Sequence, residues 1–191
     1  MTNRLLLIML CFCFAFMSGC STVISAVKTD SYQEEAGKRS SGNFLDDQII
    51  ETKALVNIDK ADQQLAQSHV NVTSFNRVVL ITGQVANEDL RQKAGNAVTL
   101  LGSDIKRIHN ELAIGGATSM VVRSNDGWIS TKIKSKMLAN GKIQAARIKV
   151  VTENGVVYLL GLVTREEGDR AAEVARTTAG VQKVVRIFEY I

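Results

Sequence analysis

The sequence predicts an α+β fold made of two small domains, each α-β-β-α-β with two helices packed on a three-stranded sheet. Three observations carry this. The segment Asn71 to Val85 recurs 78 positions on, as Lys149 to Val163. Both occurrences set a turn signal between two alternating apolar runs. Both are also bracketed by stretches with helical spacing.

The elements follow in order. Ile50, Ala54 and Ile58 recur every four residues within 47–58, and Ile129, Ile133 and Met137 do the same within 126–138. That spacing lines up one face of a helix. The turn signals are Asn76-Arg77 and Asn154-Gly155, the second being the strongest short hairpin signal a sequence offers. Gly83 and Gly161 interrupt the second strand of each hairpin at matching places, which predicts a bulge or a close backbone approach. Residues 88–101 and 166–178 read as helices, with Ala94 and Ala97 answering Ala172 and Ala175, and Gly102 and Gly180 fitting their ends. Each copy closes on a β-rich run, 105–114 and 181–191. The copies are placed at 44–114 and 124–191, joined by a linker over 115–123 in which Gly115-Gly116-Ala117-Thr118-Ser119 reads as flexible. Domains this small are marginal alone, so packing of one copy on the other is expected.

The first 43 residues read differently. Arg4 precedes an apolar run from Leu5 to Met17, too short for a comfortable membrane span but suited to a signal peptide over 1–19. Met17-Ser18-Gly19-Cys20 resembles the bacterial lipobox, with Met17 in the place usually held by Leu. The resemblance implies cleavage before Cys20 and acylation of its thiol, palmitate included. Ser21 in place of Asp implies, by the same resemblance, sorting to the outer membrane, lipid-anchored and facing the periplasm. Cys11 and Cys13 lie in the part that would be discarded, and no cysteine follows Cys20, so a disulfide is not expected. Residues 20–43 are then the lipidated cysteine and a tether, Ser-, Gly-, Lys- and Glu-rich over 32–43.

The repeats themselves resemble BON domains. The match rests on Val150, Thr152, Asn154-Gly155, Val157, Leu159, Gly161 and Val163, and on the closing Gly180-Val181 and Val184. The first copy is looser, with Arg77 at the turn glycine and Gly102-Ser103-Asp104 lengthening the approach to the last strand. A lipobox followed by two such domains is similar, over essentially the whole chain, to the dual BON-domain outer-membrane lipoproteins. That resemblance implies binding of anionic phospholipid and a role in cell envelope integrity and at the cell division site.

The residues themselves point to binding rather than catalysis. His69 and His109 have no cysteine or carboxylate at metal-ligand spacing, and neither a phosphate loop nor a nucleophile elbow is present. No catalytic residue, metal or cofactor is therefore expected, and Glu166 and Glu167 suit a helix N-terminus. Charge is unevenly divided. Residues 44–114 hold seven Lys/Arg and nine Asp/Glu, a balance of −2; residues 123–191 hold twelve and seven, a balance of +5. An acidic partner for the second copy follows. On the helix over 126–138, about 100° per residue puts Ile129, Ile133 and Met137 toward the core and Trp128, Thr131, Ser135 and Leu138 on the far side. Lys132 and Lys134 flank that far side, and Lys136 lies just beyond. The chain's single Trp beside lysines is what shallow docking on an anionic, phosphatidylglycerol-like membrane requires. The matching face of the first copy, Ile49, Thr52, Val56 and Asp59 with Asp46, Asp47 and Glu51 nearby, lacks both the Trp and the basic flank. The competing expectation is a periplasmic adaptor binding an envelope protein or peptidoglycan through the same face. An exported, anchored chain seldom meets nucleic acid, which is not an expected partner.

Overall fold

The computed structural model describes residues 40–191; the expected signal peptide, Cys20 and the tether up to residue 39 lie outside the described residues. The first helix, α1 (Ser41–Ala61), starts where the Ser40 side chain accepts from the Asn43 N–H at 3.1 Å. The tether assigned through residue 43 therefore ends earlier. The Ser residues at its end suit a linker, but Ser is also among the best helix N-caps. Asp62 ends α1 and caps the short α2 (Gln63–Ala66). Then β1 (His69–Phe75) pairs antiparallel with β2 (Val78–Val85), α3 (Glu88–Thr99) starts on an Asn87 cap, and β3 (Arg107–Ile114) returns parallel to β2. The sheet order is β1-β2-β3.

The second copy repeats this with α4 (Met120–Ala139), β4 (Ile148–Glu153), β5 (Val156–Val163), α5 (Arg165–Arg176) and β6 (Lys183–Tyr190), in the order β4-β5-β6. The fold class is thus the one the sequence predicts. The linker over 115–123 needs correction at its end: Ser119 caps α4, which already runs from Met120. Nor is the joint loose, since Gln84 Oε1 accepts from both the N–H and the hydroxyl of Thr118 at 3.1 Å.

One device builds both hairpins. The turn residues lie in the left-handed region, Asn76 and Arg77 at φ 50° and 67°, Asn154 and Gly155 at 48° and 74°. This is the signature of a type I′ turn, natural for Asn-Gly and strained for Asn-Arg. A buried aspartate on the leading helix offsets the strain. Asp47 accepts from the N–H groups of Asn76 and Arg77, both at 2.9 Å, and from the Ser74 hydroxyl at 2.6 Å. Asp126 accepts from Asn154 N–H at 2.7 Å and Gly155 N–H at 2.9 Å.

Among the described residues three apolar cores result. Ile50, Ala54 and Ile58 pack with Val79, Ile81 and Ala94 under the first pair of helices, and Ile129, Ile133 and Met137 with Val157, Leu159 and Ala171 under the second. The third lies between the sheets, where Phe75, Val78 and Leu80 meet Tyr158, Leu160 and Ile187. Residues 40–191 therefore form four layers, helices outside and two sheets back to back. This is why every residue of β2 is buried and why the central strands read as nearly unbroken apolar runs. Burial pushes the Tyr158 hydroxyl up to about 12. The rim is polar: Gln84 Nε2 donates to Glu153 at 2.7 Å, Lys149 meets Glu51 at 2.8 Å, and Lys106 meets Glu189 at 3.4 Å.

His109 pairs in register with Leu80 and shares its face of the sheet. Its Nε2 is buried without a hydrogen-bond partner among the described residues. Burial, helped by Arg107 and opposed by Glu111, lowers its pKa below the ordinary 6.5. The stability it contributes is complete above 6.5 and lost as pH falls through the lower folded value. The urea midpoint should accordingly drop between pH 7.5 and roughly pH 5, and His109→Gln should shrink that drop. An unchanged drop in the variant would assign it to other groups.

Candidate membrane-docking face

Helix α4 is buried along one line and open along the opposite one. Ile129 and Ile133 are fully buried and Met137 nearly so, while Trp128 is 65% exposed and Leu138 73%. Thr131 and Ser135 lie between them, exposed. The face predicted from spacing is thus assembled on one helix surface. It also continues further toward the N-terminus. Val121, seven residues before Trp128 and hence nearly in line with it, is exposed, as is Met120. The sequence reading missed both by assigning them to the linker; the signal was Ser119, a good cap directly before an apolar pair.

The three lysines differ in place. Lys132 Nζ donates to the Ala179 carbonyl at 2.9 Å, and Lys136 Nζ to the Thr178 hydroxyl at 3.1 Å. Both reach across to the loop that follows α5, where cations meet the negative end of that helix. Lys134 lies on the other flank, exposed, with no hydrogen bond or ion pair among the described residues. Its ammonium is the one most available to a phosphate. On the inner edge of the face, the Ser130 and Thr152 hydroxyls join at 2.8 Å and fix the helix to β4.

The matching face in the first copy is apolar without basic residues at its centre. Leu45, Ile49 and Val56 are exposed. Of the acids expected nearby, Asp46 is exposed. Asp47 is the buried turn anchor, and Glu51 is held by Lys149 and by the Ser74 N–H at 2.8 Å. His69 is partly buried, with Arg123 Nη1 3.4 Å from its Nδ1. Among the described residues no group of three His, Cys, Asp or Glu is placed to hold a metal, and no helix is long and apolar enough to cross a membrane.

Comparison with known proteins settles the family. The BON domain matches residues 46–116 and 125–190, both copies of the repeat. The chain belongs to the BON-domain family. Over 94% of its length it is 35% identical to outer membrane lipoprotein DolP of Haemophilus influenzae, spanning 89% of that protein. It is 37% identical to the 21 kDa hemolysin of Actinobacillus pleuropneumoniae, over 80% of this chain and 78% of the relative. Osmotically-inducible protein Y of Escherichia coli is 29% identical over 75% of this chain and 72% of its own. Both BON copies here carry the buried turn-anchoring aspartate, and only the second carries the Trp-centred face.

Proposed function

We propose that this protein is an outer-membrane lipoprotein, anchored through acylated Cys20 and facing the periplasm, that docks α4 of its second BON domain on anionic phospholipid. In this reading it supports envelope integrity, including at division sites. The observation that carries it is Trp128, an indole two-thirds exposed on a helix whose opposite side is sealed. Indole prefers the interfacial layer of a membrane, and Met120, Val121 and Leu138 extend the apolar surface on either side of it. Lys134 adds about 1 kcal/mol near an anionic surface, and Lys132 and Lys136 add less where the α5 loop holds them. A contact this weak is sufficient because the acyl anchor holds the domain at high effective concentration beside the bilayer. The kinship with a protein named outer membrane lipoprotein DolP supports the location.

The test is Trp128 fluorescence, unambiguous because the chain has one Trp. Vesicles containing phosphatidylglycerol should shift the emission to the blue, neutral vesicles should not, and salt should reverse the shift. Trp128→Glu should weaken partitioning at least about tenfold, followed by vesicle co-sedimentation. Absence of any shift with either vesicle would transfer the face to a protein or peptidoglycan partner, the adaptor reading.

A further inference from the structure

A second feature of the basic copy lies away from the Trp128 face, in the groove between α5 and the edge strand β6. It encloses about 350 Å³. Arg176 lines it from the last turn of α5, and Lys183 and Arg186 from β6, over a floor that includes Val181 and Val184; Glu173 is the carboxylate in the lining. Each guanidinium is held by one acid yet keeps donors free. Arg176 uses Nε and Nη2 on Glu173, at 2.9 and 2.7 Å, leaving Nη1. Arg186 uses Nη1 on Asp169 at 2.5 Å, leaving Nε and Nη2. Lys183 has no ion pair among the described residues. Three cations thus face two carboxylates, with the cationic excess on Lys183. The nearby α5 terminus does not compete for them, because the Glu173 and Ala175 carbonyls accept from Thr177 and Thr178 and the Ala179 carbonyl from Lys132.

We propose that this groove binds a phosphate-class anion, a phosphate mono- or diester. The free Nε/Nη2 edge of Arg186 can fork onto a tetrahedral oxyanion, the remaining Nη1 of Arg176 adds a single donor, and the flexible Lys183 ammonium supplies the remaining charge. The anion's source is either a lipid headgroup or a soluble phosphate ester, and the chemistry of recognition is the same for both. The assignment is independent of the Trp128 face, since no residue is shared.

The experiment is an amide-resolved NMR titration of the full chain in a nonionic maltoside. The probes are glycerol phosphate, sodium chloride at matched ionic strength, and phosphatidylglycerol bicelles. Saturable shifts at Arg176, Lys183 and Arg186 with glycerol phosphate but not chloride are the expected result, and response to the bicelles alone would assign the source to the headgroup. Lys183→Glu should weaken binding at least about tenfold, Lys183→Ala less, and both should leave the signals of Ile129 and Ile133 in place. Trp128→Glu should leave the phosphate shifts intact, so failure of the docking reading and failure of this one are told apart. Equal shifts with chloride, or undiminished binding by the folded Lys183→Glu chain, would overturn the proposal.

Discussion

Asp47→Ala is expected to destabilise the protein by about 3–5 kcal/mol, because two partly buried turn N–H groups lose a charged acceptor and each such bond is worth about 1.5–3 kcal/mol. The loss falls on a turn that has no glycine to relieve it: Asn76 and Arg77 both sit at positive φ, and Ser74 loses the partner of its buried hydroxyl as well. Asp126→Ala removes the same device from the second copy, but there Gly155 takes the left-handed position freely. Its effect should be smaller, about 2–4 kcal/mol. Asp47→Asn keeps one acceptor and should fall between wild type and Asp47→Ala. Urea unfolding of the three variants checks the order, and equal effects of the two alanine variants would mean that the backbone strain at Arg77 is negligible.

Gly83→Ala should be as damaging, for a steric reason. A Cβ on Gly83 would lie 1.8 Å from the His69 carbonyl oxygen, and the residue sits at φ +126°. No rotamer change relieves a clash with backbone; β1 and β2 must separate where they are paired. Strain and overpacking together imply about 3–5 kcal/mol. At Gly161 the approach is to the Arg147 carbonyl at 2.7 Å, without the positive φ, so Gly161→Ala should cost about 1–3 kcal/mol. Thermal unfolding measures both, at about 2–4 °C per kcal/mol for a chain of this size. A Gly83→Ala chain as stable as wild type would show that the strand ends relax freely.

Much of this was legible in the sequence, for identifiable reasons. The Ile50-Ala54-Ile58 and Ile129-Ile133-Met137 lines are local periodicities, and helices bury what such lines predict. The matching glycines gave two alternatives, and the structure selects the close backbone approach, with β1 and β2 in unbroken register through Gly83. The outward direction of Trp128 followed from helix geometry alone. What escaped is non-local. Nothing in the spacing of Asp47 tells that it is buried beneath a turn 29 residues later; as an acid on a helix it read as surface. The tie of Lys132 and Lys136 to the loop after α5 is likewise a contact between segments more than forty residues apart. The early starts of α1 and α4 were hidden because Ser is both a linker residue and a cap.

The back-to-back sheets have a consequence for the protein as a unit of folding. Val78 and Leu80 of one repeat and Val156 and Tyr158 of the other occupy matching positions, so the copies meet as two subunits of an isologous homodimer would. The covalent joint, pinned at Thr118, turns that association from a second-order event into a first-order one. The halves are then not interchangeable beads on a string. Each is the other's missing subunit, and severing them would expose a sticky sheet that calls for a replacement partner, another copy of the same half included.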